Sequence, residues 1–113
     1  MADKAYNVES FKGTITIPAS DTVSTGTQTI GNVNGVTKTI FLTTPNMEDT
    51  DSTAMTIVNS SGATFFNSGT KAESATSVIG SEVGIVLGDQ IIMTAEGTQS
   101  AAKAVAFDIR YLT

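Results

Sequence analysis

Close to its C-terminus the chain reads AVAFDIRYL, where Val105, Phe107, Ile109 and Tyr111 alternate with Ala106, Asp108 and Arg110. A period of two puts the large side chains on one face of an extended strand and the small or charged ones on the other, which predicts a half-buried strand over residues 104–112. Such a strand has to pair with others, and the remaining sequence offers strands as partners. Phe11, Gly13, Ile15 and Ile17 alternate with Lys12, Thr14 and Thr16 until Pro18 ends the run.

Further strands are expected at 36–45, closed by Pro45, and at 90–95, entered from Gly88-Asp89. Residues 55–59 and 63–67 read as a hairpin turning at Ser60-Ser61-Gly62, and 27–30 as a weak strand in turn-rich surroundings. The stretch NSGTKAESATSVIGSEVG, 67–84, is small and polar, so it is expected to be a long loop with one brief strand; 72–79 has room for a helical turn or two. No window of helical length carries apolar residues at three- and four-residue spacing between caps. Short strands about ten residues apart, divided by Gly, Asn, Ser and Pro, give an all-β fold. The expected architecture is an antiparallel β-sandwich with jelly-roll or Greek-key connections, an open partial barrel being the alternative. At 113 residues it is one domain, 9–113, preceded by an arm, 1–8.

Polarity in this chain comes from hydroxyls, 19 Thr and 11 Ser, while only 15% of residues are charged. Thr is β-branched and suits half-exposed strand positions. The net charge of −5 and six scattered cations (Lys4, Lys12, Lys38, Lys71, Lys103 and Arg110) leave no basic stripe for phosphates, so no nucleic acid is expected as a partner. No apolar run reaches membrane-span length and the opening residues carry no export-type run, so neither membrane insertion nor secretion is expected.

His, Cys and Trp are absent. Ser-His-Asp and Cys-His nucleophiles are therefore excluded, as are disulfides and imidazole or thiolate metal ligands. No catalytic residues, cofactor or metal are assigned. Glu48, Asp49 and Asp51 form the densest acidic group, but after Asp49 and Asp51 the third slot of a calcium loop is Thr53, and the required Gly and distal Glu are missing, which favours a solvated loop. Asn59-Ser60-Ser61 matches a glycosylation acceptor and reads as a turn; the Gly31–Gly35 stretch lacks the lysine and spacing of a phosphate loop and also reads as a turn.

Apolar neighbours break the alternation at Ile40-Phe41-Leu42, Ile57-Val58, Phe65-Phe66, Val86-Leu87 and Ile91-Ile92. Either twist, bulges and loops cover one member of each pair, or part of the outer surface is buried by another chain. Phe41 and one of Phe65 or Phe66 are the candidate contacts, with Tyr6 and Val8 in the N-terminal arm beside them.

Taken in order, GTITIPASD, VTKTIFLTTP, an acidic loop, TAMTIVNSSGATFF and GDQIIMTAEGTQSAAKAVAFDIRYL resemble the small β-sandwich proteins that decorate or cement the capsids of tailed bacteriophages. The most suggestive part is the close: Gly-Asp, a strand ending in Thr-Ala, a small-residue loop, and an alternating strand ending in an aromatic. The resemblance implies symmetric oligomers, often homotrimers, on the outer capsid surface at junctions of the major capsid protein. It also implies a virion location for a protein made in the host cytoplasm, and no catalytic residues. Phage tail or fibre modules share this strand grammar, which keeps carbohydrate binding or host attachment as the alternative.

Overall fold

The structure is a computed structural model describing residues 7–113. Among the described residues the strands are β1 (Val8–Ile17), β2 (Thr25–Thr29), β3 (Gly35–Thr44), β4 (Thr53–Val58), β5 (Thr64–Lys71), β6 (Ala75–Gly80), β7 (Gly84–Ile85), β8 (Gln90–Ala95) and β9 (Lys103–Leu112). There is no α-helix among them; Glu48–Thr50 form a single tight turn in which Asp49 and Thr50 take positive φ.

One sheet has the order β1-β9-β3-β6, with β7 also on β3, and the other has β2-β8-β4-β5. All ladders are antiparallel. The pairs β4 with β5, β3 with β6, β2 with β8 and β1 with β9 nest like one long hairpin, whose halves are folded over each other by the β3–β9 and β4–β8 ladders. That order is the jelly roll. The expected β-sandwich is therefore the observed fold, and the nesting selects the jelly-roll connection.

The core follows from the alternation. Ile15 and Ile17 of β1, Ile40 and Leu42 of β3 and Val105, Phe107, Ile109 and Tyr111 of β9 face Met55 and Ile57 of β4, Phe66 of β5 and Ile91 and Met93 of β8. Burying a side chain of this size contributes about 1.5–3 kcal/mol, which offsets the ordering of two extended layers. Gly26 and Gly35 mark two close approaches: a Cβ on the first would strike the Thr16 carbonyl, and on the second the Leu112 carbonyl. The sheets can close at these corners because no side chain stands there.

Residues 67–84 differ from the expected loop. β5 continues to Lys71, and β6 and β7 both form, joined to β5 by a turn through Ser74 at positive φ rather than by a helical turn. β6 escapes the periodicity test because it is an edge strand whose inward residues, Ala75, Ser77 and Ile79, include one large apolar side chain. β1 begins at Val8, which pairs with Leu112, so the last residue of the expected arm already belongs to the sheet. Tyr6 lies outside the described residues.

Candidate functional site

The sequence candidates separate. Phe66 is buried in the core opposite Ile57, while Phe65 is the extra residue of a β-bulge on β5, half-buried against the same core. A bulge sends two successive side chains the same way, which resolves that apolar pair locally. Phe41 points outward from β3 between Val78 and Asp108, and the Arg110 guanidinium carbon lies 5.4 Å from its ring centroid. Val8 is exposed at the start of β1.

The register arranges the outer face of the five-stranded sheet in cross-strand rows. Val8, Leu112 and Val36 form the first, with Gly84 at its end. Lys12, Asp108, Phe41 and Val78 form another. Between these rows Arg110 reaches Asp108 at 2.9 Å, and Ser10 donates to the same carboxylate at 2.6 Å. The Arg110 hydrogen bond, seconded by Ser10, holds the Asp108 carboxyl below its ordinary range although partial burial opposes this. Val78 and the Val36–Leu112 pairing were missed from sequence because they depend on which strands are neighbours.

The exposed Val86-Leu87 pair sits on a tight turn. Asp89 N–H donates to the Val86 carbonyl at 3.1 Å, Gly88 takes φ 98°, and the buried Asp89 carboxylate accepts the Val86 N–H at 2.9 Å. Gly at the third position of a four-residue turn is what a positive φ requires. Ile30 clamps the turn from the neighbouring loop, donating to the Asp89 carbonyl at 2.7 Å and accepting from Gly88 N–H at 2.9 Å. Two apolar side chains thus stand in solvent on a turn held by four hydrogen bonds.

At the opposite end the acidic group has a structural task. Gln99, wholly buried, donates Nε2 to Asp51 Oδ2 at 2.9 Å and to the Gly97 carbonyl at 3.0 Å, and its Oε1 accepts the Glu48 N–H at 2.9 Å. Glu48 accepts from the Ser100 backbone and, at 2.6 Å, from the Ser100 hydroxyl, bonds that lower its pKa. Glu48 and Asp51 therefore tie the β3–β4 loop to the β8–β9 loop rather than standing solvated. The Asn59 carboxamide oxygen accepts the N–H groups of Ser61 and Ala63 at 3.0 Å each, closing the β4–β5 hairpin as a turn.

The outer face of the four-stranded sheet is chemically different. Its rows are Thr25, Thr94, Ala54, Thr70, then Thr27, Ile92, Thr56, Asn67, then Thr29, Gln90, Val58, Thr64. These positions carry hydroxyls, amides and apolar groups and no charge. A shallow cleft of about 320 Å³ opens at one corner between Ser52, Ala54, Thr70, Thr94, Ala95 and Glu96.

No known protein-family model matches the chain, and no curated protein matches it.

Proposed function

We propose that this chain is a non-enzymatic structural protein of a virus particle, a decoration protein that binds the outer surface of the major capsid protein lattice and stabilises the head. The observation that carries the reading is the pairing of a rigid jelly roll with exposed apolar side chains on hydrogen-bonded supports, Val86 and Leu87 above all. Large apolar groups held in water on a fixed frame suit a partner surface better than a substrate. The resemblance of the strand order to phage decoration proteins supports the same reading, and jelly rolls serve in capsid and lectin domains alike. A fold shared so widely leaves the function to the surface.

The mechanism is mass action. A protein that binds the assembled lattice and not the free subunits raises the lattice's resistance to disruption by its binding free energy. A symmetric oligomer, a trimer in the resembling family, engages several lattice sites at once and multiplies weak contacts through effective concentration.

A second reading, a glycan-binding or host-attachment module, is favoured by the uncharged hydroxyl face on β2, β8, β4 and β5. Tailless heads purified from infected cells separate the two. Decoration places this chain in the heads at a stoichiometry fixed by the lattice; attachment places it in tails or fibres and gives signal on a glycan array.

A further inference from the structure

We infer that the cleft at the corner of the four-stranded sheet binds a neutral sugar, one hexose unit of an uncharged polysaccharide whose chain continues over the hydroxyl rows. The site rests on the glycan reading above, to which it gives an anchor and a ligand class, and does not depend on the decoration reading. Three of the residues lining the cleft, Thr94, Ala54 and Thr70, are neighbours in one cross-strand row of the outer face. The cleft is therefore continuous with the next row, which holds Ile92 and Thr56.

Glu96 supplies the anchor. Its backbone N–H donates to the Ser52 carbonyl at 2.9 Å, and its Oε1 accepts the Ser52 N–H at 3.1 Å and the Ser52 hydroxyl at 3.4 Å. The carboxylate is thus fixed before a ligand arrives, while Oε2 makes no hydrogen bond among the described residues. Hydrogen bonds to an ionised acceptor are shorter and stronger than neutral ones, and an acceptor already fixed costs little ordering on binding. Sugar hydroxyls are the donors such an oxygen suits. Beside it the hydroxyls of Thr70 and Thr94 can donate or accept, and the Ala54 methyl gives the C–H groups of a pyranose ring an apolar contact. A volume of about 320 Å³ lies at the small end of ligand pockets, the size for a sugar unit rather than a bulky ligand.

Charge narrows the ligand class. The chain carries −5, and Glu48, Asp49, Asp51 and Glu73 stand in loops at the same end, so an anionic polysaccharide is repelled. The twelve positions in the three rows of this face hold seven Thr and no charge, whereas the opposite sheet presents Lys12, Asp108 and Arg110. Methyl and hydroxyl groups side by side match the mixed C–H and O–H surface of a neutral sugar chain. A charged polymer finds nothing on these rows to pair with.

The test is isothermal titration calorimetry of the full chain with galactomannan, mixed-linkage β-glucan and dextran, and with chondroitin sulfate and glycol chitosan as charged comparators. Glu96→Gln and Thr94→Val are the variants, and Thr14→Val on the outer face of the other sheet is the control; melting temperatures verify folding. The expected result is saturable binding of at least one neutral polysaccharide, at least tenfold weaker in E96Q, severalfold weaker in T94V and unchanged in T14V. Silence with all three neutral polysaccharides overturns the inference, as does binding that survives both substitutions or is confined to the charged polymers. If the wild type binds purified heads and none of the neutral polysaccharides, this site alone is removed. Polysaccharide binding weakened by E96Q in a chain with no affinity for heads upholds the site and removes the decoration reading.

Discussion

Arg110 lies over Phe41, its guanidinium carbon 5.4 Å from the ring centroid, while its nitrogen reaches Asp108 at 2.9 Å. The ring is thereby covered from within its own sheet, on the face away from the core. Phe41→Ala should cost about 1–2 kcal/mol, the lost cation–π contact plus part of the ring's burial, and leave the fold intact. Ile109→Ala, on the adjacent and inward-facing position of β9, should cost about 2–5 kcal/mol. Urea denaturation of the two variants measures the difference; equal costs would mean that Phe41 is core.

Gln99 makes three part-buried hydrogen bonds, two to Glu48 and Asp51 of the β3–β4 loop and one to Gly97 of its own loop. Gln99→Ala should destabilise by about 1–3 kcal/mol, because a partly buried Glu48 N–H loses its acceptor and Asp51 its donor. Hydrogen exchange should quicken at Glu48 and Ser100 and remain unchanged in the Asn59–Ala63 turn at the other end.

Buried hydroxyls without partners give a prediction of opposite sign. Thr53 Oγ1 and Thr44 Oγ1 are buried and make no hydrogen bond. Thr53→Val keeps the shape and removes the unpaired polar atom, so thermal unfolding should show a gain of up to about 1 kcal/mol.

Stability should fall in acid for identifiable reasons. Glu48 is held below its ordinary value chiefly by the Ser100 hydroxyl, Asp108 chiefly by Arg110, and Glu82 chiefly by Lys38. A carboxyl with a lower pKa in the folded state contributes stability that is complete above its unfolded pKa and disappears as the pH drops through the folded one. Denaturation midpoints should therefore be flat from about pH 6 to 8 and decline below about pH 5. Glu48→Gln should make the decline shallower, and an unchanged slope would show that this loop contributes nothing to it.

Close packing at Gly26 leaves no room for a methyl group. Gly26→Ala should cost at least about 3 kcal/mol or prevent folding, since the obstructing atom is the Thr16 carbonyl of the backbone. Gly84→Ala, with open space around it, serves as the matched control and should melt within a few degrees of the wild type.

The strands that could be read in advance were those buried on one face. β9 and β8 alternate or run apolar because they lie inside their sheets, and they were placed to within a residue. β6 was hidden because an edge strand with an exposed face needs few large side chains. The candidate surface was half legible. Phe41 and the Val86-Leu87 pair stand out as breaks in the alternation and Val8 only as the end of an arm, whereas the Val8–Leu112–Val36 row joins residues 104 positions apart in sequence and exists only through the register. The acidic group looked like a loose loop because Gln99, the residue that organises it, is a single uncharged side chain some fifty positions away.

The most direct test of the decoration reading is the temperature at which purified, expanded heads lacking this protein come apart, measured as the protein is added back. The account predicts a rise that grows with the logarithm of free protein concentration once sites begin to fill, as binding to the assembled state alone requires. Heads that come apart at the same temperature at every concentration, with the protein recovered unbound, would contradict it.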